Sequence, residues 1–140
     1  MTKLSRYEFE KLRHSDLNEA QLEEALKKRG SDYQMLLYHH NIHKNCEATV
    51  KEMLEKHDIE TKVVTRFDYN EANIDWADVV VTAGGDGTFL LGASRIMDPT
   101  KTLIGFNSDP TRSEGYLCLP KKYSNNVSDA IDKLLKVLST

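Results

Sequence analysis

Apolar side chains recur at helical spacing in the first 56 residues and again at the end of the chain. Asn18 and Gln21 form a capping-box pattern ahead of an apolar face that ends at Gly30. The later apolar positions repeat every three or four residues, which indicates further helices. Helices are therefore predicted over 18–29, 32–37, 45–56 and, as the most amphipathic segment, about 124–138.

Between residues 61 and 106 the pattern changes to short apolar runs rich in β-branched side chains. Strands are predicted at 61–67, 77–83 and 102–106, with a helix at 88–97. The uninterrupted valines at 79–81 are typical of a strand covered on both faces of a parallel sheet. A strand, a helix and a strand joined by short connections predict a right-handed βαβ unit. The chain is therefore expected to form one α/β domain over 1–140.

Composition adds little beyond excluding some partners. The sequence has 19 Lys and Arg against 22 Asp and Glu, a net charge of −3, so general attraction to nucleic acid or to an anionic membrane is not expected. No apolar stretch approaches the roughly 20 residues that cross a bilayer. The N-terminal residues show no secretory or organelle-targeting pattern.

Two polar segments follow consecutive strands of the predicted βαβ unit. One is Gly84-Gly85-Asp86-Gly87-Thr88 and the other is Asn107-Ser108-Asp109. Ligands of open parallel sheets gather beyond the carboxyl ends of the strands. Because both segments leave that edge, we expect their side chains to converge on one site.

The glycine-rich segment has a physical reason to bind phosphate. Closely spaced glycines let the backbone approach a polyphosphate, and the helix that follows directs free N–H groups at the same point. Asp86 would repel phosphate unless it binds a cation, accepts a hydroxyl proton or hydrogen-bonds a ribose, all of which suit phosphoryl transfer to an alcohol. The alternative is a tight turn in which Asp86 only caps the helix.

These residues also resemble a known family. The run 84–88 resembles the GGDGT signature that NAD kinases share with diacylglycerol, sphingosine and phosphofructokinase relatives. Residues 89–95 resemble the NAD-kinase continuation of that signature. The run 105–118, GFNSDPTRSEGYLC, is similar to the mitochondrial type of NAD kinase, as are 5–10 and 39–43. The similarity extends over nearly the whole chain.

The resemblance implies a role for each matching residue. Asp86 would hold and deprotonate the adenosine-ribose 2′-hydroxyl of NAD while that oxygen attacks the γ-phosphorus of ATP. ATP would arrive with Mg²⁺, and no metal-binding residues are assigned in this chain; the histidines at 39, 40 and 43 are expected to have other roles. The binding residues implied are Gly84, Gly85, Gly87 and Thr88 for phosphate, and Asn107 and Ser108 for the dinucleotide.

The resemblance also implies a Rossmann-like parallel sheet with flanking helices, a mitochondrial location and a homodimer in the full-length family. The lack of a visible transit peptide leaves a cytosolic location open. The family has a strand before the segment that matches 6–10 and a β-rich domain after this one, so the chain is expected to be a weakly active or inactive fragment. Two alternatives stay open: a non-catalytic nucleotide-binding or interaction module, and a lipid-kinase relative that shares GGDGT.

Overall fold

The computed structural model describes residues 1–138, which form an α/β structure, as predicted. The elements in chain order are α1 (Arg6–Arg13), α2 (Glu19–Lys28), α3 (Tyr33–Lys56), α4 (Glu71–Trp76), β1 (Val79–Gly84), α5 (Asp86–Ser94), β2 (Thr102–Asn107), a 3₁₀ helix (Lys121–Ser124) and α6 (Val127–Leu138). None of the helices in this part of the chain is long and apolar enough to cross a membrane.

The sheet is built by β1 and β2, which pair in parallel and are connected through α5, so the predicted strand–helix–strand unit is confirmed. The register pairs Val79 with Thr102 at one end and Gly84 with Asn107 at the other. Residues 1–3 lie along the opposite edge of β1, where Thr2 forms an isolated parallel bridge with Ala83. Asn107 and Gly84 therefore end the two strands side by side.

The strand predicted at 61–67 is wrong. The segment has no regular secondary structure at 61–65 and then enters a turn. The backbone bond that joins it to a neighbouring chain segment runs from the Thr2 N–H to the Val64 carbonyl at 2.8 Å. Its β-branched composition favours extended backbone, but a strand also requires a ladder of partners. Within residues 1–138 the neighbour on that side is only the short segment 1–3, which offers one such bond.

Two helices predicted at 32–37 and 45–56 are a single helix, α3, of 24 residues. The stretch 38–44 between the two predictions contains neither glycine nor proline to end a helix. α1 was not predicted, although Ser5 and Glu8 carry the S-x-x-E signature and form a complete capping box in the structure. The capping box was therefore the available signal for α1, and the absence of a helix-ending residue was the available signal that α3 is continuous.

Helix α3 packs against both halves of the molecule. Its C-terminal half joins β2 and α6 in the largest apolar cluster, which includes Cys46, Val50, Leu54, Phe106, Val127, Ala130 and Ile131. Its first residue joins α1 and α2 in a second cluster made by Tyr7, Leu22, Leu26 and Tyr33. The helix is thus the element on which the N-terminal helices and the βαβ unit are both anchored.

The prediction that both faces of β1 are covered is confirmed for Val80, which is buried. It is confirmed only in part for the valines on either side of it. Val79 and Val81 are half-buried and line a cavity of about 500 Å³ between β1, residues 58–64 and the end of α6. At the other end of the strand, Thr82 is fully buried and its hydroxyl has no hydrogen-bond partner among the described residues.

We predict that Thr82→Val stabilises the protein. A buried hydroxyl without a partner costs about 1–3 kcal/mol, and valine has nearly the same shape, so the free energy of unfolding measured with urea is expected to rise. The matched control is Val80→Thr on the same strand, which buries a new hydroxyl and is expected to lower stability. A Thr82→Val protein that is less stable than the parent would contradict this interpretation.

Candidate active site

The glycine-rich segment and the segment that follows β2 lie side by side, as the sequence predicts. Gly84 and Asn107 are partners in the sheet register, and the Ser108 N–H donates to the Gly84 carbonyl at 3.1 Å just beyond it. The ladder therefore continues one residue past the strands. This extension fixes the two loops against each other at the carboxyl edge of the sheet.

Gly84 and Gly87 differ in whether the surrounding protein requires a glycine at their position. A Cβ atom on Gly84 would collide with the side chain of Thr88, so close packing requires glycine there. Apart from its chain neighbours and the backbone of its own helix, nothing among the described residues lies within 4 Å of the position of a Cβ atom on Gly87, and Gly87 is exposed. Its φ is not in the left-handed region either. Neither packing nor backbone conformation within the described chain therefore accounts for Gly87.

Asp86 is the first residue of α5, not its cap. The N-cap is Gly85, and no side chain caps this helix. The Asp86 carboxylate instead accepts hydrogen bonds from the backbone N–H groups of Leu117 at 2.8 Å and Tyr116 at 3.2 Å. The first-turn N–H groups of α5 are left without a side-chain acceptor, and the carboxylate is oriented by the loop after β2.

Asn107 is buried under that loop and holds it through hydrogen bonds of its side-chain amide. It is 1% exposed; its Nδ2 donates to the Ser113 carbonyl at 2.9 Å and its Oδ1 accepts from the Asp109 N–H at 3.2 Å. Gly115 passes over it with φ 63°, where a Cβ atom would come within 2.6 Å of Asn107 Nδ2. Both hydrogen-bonding ends of the amide are therefore used within the protein.

Ser108 is also buried, and its partner is a histidine of α3. The Ser108 Oγ lies 2.7 Å from Nδ1 of His43, whose side chain is fully buried. The other ring nitrogen, Nε2, lies 3.0 Å from the Lys3 carbonyl, which can only accept. Nε2 therefore carries the proton, and the serine hydroxyl donates to Nδ1.

The neighbouring histidines extend this polar network. His39 Nδ1 lies 2.7 Å from the buried Asp109 carboxylate, and His40 Nδ1 lies 2.7 Å from Ser5 Oγ at the start of α1. Glu47, which receives the Thr2 hydroxyl at 2.7 Å, has a pKa of about 2: burial opposes ionisation, but hydrogen bonds from His43 and Thr2 and the nearby Lys44 outweigh it.

This network is what the sequence analysis missed. It singled out the three histidines as a cluster but found no partners for them. The four-residue spacing of His39 and His43 was the available signal, because it places both side chains on one face of a helix. Within residues 1–138 no group of three His, Cys, Asp or Glu side chains is arranged to hold a metal ion. His39 and His43 instead hold the loop that follows β2, and His40 contacts the start of α1.

The structure thus brings together the predicted site residues in two layers. Gly84, Gly85, Asp86, Gly87 and Thr88 form the rim, while Asn107 and Ser108 lie under it with their side chains engaged in internal hydrogen bonds. Their predicted part in lining a dinucleotide pocket stays a prediction. Cys118 completes the second loop, and burial together with the nearby Asp86 carboxylate raises the pKa of its thiol.

Comparison with known proteins confirms the resemblance to the mitochondrial type of NAD kinase. The chain is 44% identical over 138 residues to NAD kinase 2, mitochondrial, of Xenopus tropicalis and 44% identical over 139 residues to that of Homo sapiens, in each case 97% of this chain. It is 38% identical over 92 residues to an NADH kinase of Arabidopsis thaliana, 55% of this chain. No family model matches.

The similarity covers only part of those relatives. The chain spans 32% of the Xenopus protein, 31% of the human protein and 28% of the Arabidopsis protein. It therefore corresponds to about a third of each relative. The similarity by itself does not assign the activity of the whole relatives to this chain.

We predict that Ser108→Ala lowers stability by about 1–3 kcal/mol, because it leaves Nδ1 of the buried His43 without a donor. Urea unfolding measures the change. The control is Ser128→Ala on the exposed side of α6, which is expected to change stability by less than about 0.5 kcal/mol. Equal effects of the two substitutions would show that the serine–histidine bond does not hold the loop.

Proposed function

We propose that this chain supplies the phosphate-binding and catalytic carboxylate part of an NAD kinase, which transfers the γ-phosphoryl group of ATP to the adenosine-ribose 2′-hydroxyl of NAD and forms NADP. The sequence similarity over 97% of the chain supports the family. The arrangement of the glycine-rich rim supports the chemistry. The observation that carries the proposal is the unexplained glycine at position 87.

Glycine in a helix costs about 1 kcal/mol relative to alanine, so a glycine that neither packing nor φ requires needs another reason. Gly87 lies in the first turn of α5, exposed and with nothing but its chain neighbours and its own helix near the position of a Cβ among the described residues. A phosphate group that approaches the backbone closely would be excluded by a methyl group at that point. Close approach of a ligand is therefore the function we assign to Gly87.

The rest of the rim suits the same ligand. The first-turn N–H groups of α5 have no side-chain cap, and the positive end of the helix dipole favours an anion there. Gly84 allows Thr88 to pack against the strand end, and Gly85 lies against the Ser113 side chain of the second loop. These residues, with Gly87, form the proposed phosphate cradle.

Asp86 is the proposed general base. Two backbone N–H groups fix its carboxylate and leave further lone pairs free for a substrate hydroxyl. As the ribose oxygen attacks, its proton passes to Asp86, a bond forms between O2′ and the γ-phosphorus, and the bond from that phosphorus to the departing ADP breaks. Positioning and charge stabilisation provide most of the catalysis in such transfers.

Mg²⁺ fits this chain only as a companion of ATP. No cluster of candidate ligands occurs in residues 1–138, so the ion would be held by the phosphates of the nucleotide. When bound, it neutralises charge on the transferring group. Every step assigned to Asp86 and to the cradle depends on protein groups alone.

The finer features of the family belong to the same proposal. A Rossmann-like sheet is supported by the parallel βαβ unit with both loops at its carboxyl edge. A mitochondrial location is supported by the names of the relatives, and a homodimer by the family resemblance. Asn107 and Ser108 would act on the dinucleotide through the loop that they hold. The chain would be the α/β part of such an enzyme, and a lipid-kinase role receives no support from the relatives found.

We predict that Gly87→Ala raises the stability of the free protein and weakens nucleotide binding. Alanine should stabilise the helix by about 0.4–1 kcal/mol, while its methyl group blocks the approach of phosphate. Thermal melting and calorimetric titration with ATP measure the two effects. The matched control is Ser94→Ala at the other end of α5, expected to leave ATP affinity unchanged. Unaltered binding by Gly87→Ala would remove the main support for the proposal.

In a complete enzyme that contains this segment, we predict that Asp86→Asn lowers the rate of NADP formation from ATP and NAD about 10²- to 10⁴-fold, because a general base is lost. ATP affinity is expected to change little, since the amide oxygen still accepts one of the two loop N–H groups. The control is Asp75→Asn, an exposed carboxylate on α4. Full activity of Asp86→Asn would contradict its role as base. Binding of ATP by the unchanged complete enzyme with no NADP formed would instead support the non-catalytic module.

A further inference from the structure

A second pocket, of about 280 Å³, is lined in part by Arg112 from the turn at 109–113. Three helices and the turn form its wall: α1 contributes its first residues, α2 its end and α3 its beginning. Its charged lining consists of Arg6, Glu10, Arg29, Asp32, His39 and Arg112. We call this the basic pocket. No part of the mechanism above uses it.

Two of the three arginines in the basic pocket are available to a ligand. Within residues 1–138 the guanidinium groups of Arg6 and Arg112 form no ion pair, and both side chains are exposed. A further cation lies close by: burial lowers the pKa of Lys3, and Arg112 lowers it further, while Asp109 acts in the opposite direction. The positive groups of Lys3 and Arg112 thus lie near each other, and among the described residues there is no separate carboxylate to neutralise each of them.

Two of the three carboxylates near the pocket already have a side-chain partner. Arg29 donates to both oxygens of Glu10, at 2.8 and 3.2 Å, and this pairing lowers the pKa of Glu10 against the opposing effect of burial. Asp109 is paired with His39. Asp32 is the exception: its Oδ1 caps α3 by accepting from the Met35 N–H, and no cation is paired with it among the described residues.

We propose that the basic pocket binds a diphosphate group. Guanidinium groups are planar, always charged and matched in geometry to phosphate oxygens, and the two unpaired ones can each contact one phosphate. The pocket also adjoins the rim: Arg112 is followed by Ser113, whose hydroxyl lies beside Gly85. NAD and ATP both contain a diphosphate group, so either could be the source.

The test is calorimetric titration of the protein with inorganic pyrophosphate. Arg6→Ala and Arg112→Ala are each expected to weaken binding at least about tenfold, since each removes a charge-assisted contact. Asp32→Asn keeps the helix cap but removes the unpaired negative charge, so it is expected to tighten binding severalfold. Arg66→Ala, an exposed arginine elsewhere, is the control and is expected to bind like the parent.

The outcomes separate this proposal from the proposed function. Competition of pyrophosphate by NAD assigns the site to the dinucleotide, and competition by ATP alone assigns it to the phosphate donor; both support the pocket. Absence of Arg112-dependent pyrophosphate binding would refute only the pocket, and absence of Gly87-dependent ATP binding would refute only the cradle, so either proposal can fail alone. The pocket is refuted if pyrophosphate does not bind, if Arg66→Ala weakens it as much as Arg112→Ala, or if Asp32→Asn also weakens it.

Discussion

The buried imidazole of His43 connects three parts of the chain that are far apart in sequence. One ring nitrogen accepts from Ser108, 65 residues away, and the other donates to the carbonyl of Lys3, beside β1. A fully buried imidazole without partners would be costly, so the loop after β2, the N-terminal segment and α3 must meet in this one arrangement. The position of the candidate site follows from that requirement.

The site itself combines a rigid support with an open surface. Beneath the rim, Asn107 and Ser108 have their polar atoms satisfied by the protein, which gives the second loop a single conformation. Above it, the first turn of α5 has no side-chain cap and Gly87 faces open space. The same loop supplies the two N–H groups that orient Asp86. In its proposed role as general base, a carboxylate held in this way would need little reorganisation when a substrate arrives.

Charge is distributed unevenly around this edge of the molecule, although the chain as a whole has a net charge of only −3. Arg29 satisfies Glu10, and His39 satisfies Asp109, so the acids are largely paired while Arg6 and Arg112 are not. One turn connects the glycine-rich rim and the basic pocket, because Ser113 lies beside Gly85 and Arg112 lines the pocket. Both favour anions, one through backbone N–H groups and the other through side chains.

The sequence by itself determined the βαβ unit, the capping box at Asn18 and the glycine-rich rim, because each depends on residues close together in the chain. It did not determine the partners of the histidines on α3 or the grouping of Arg6, Arg29 and Arg112. Those contacts join residues dozens of positions apart. Local periodicity and capping carry no information about such distant pairs, and only the packing of α3 against both halves of the molecule brings them together.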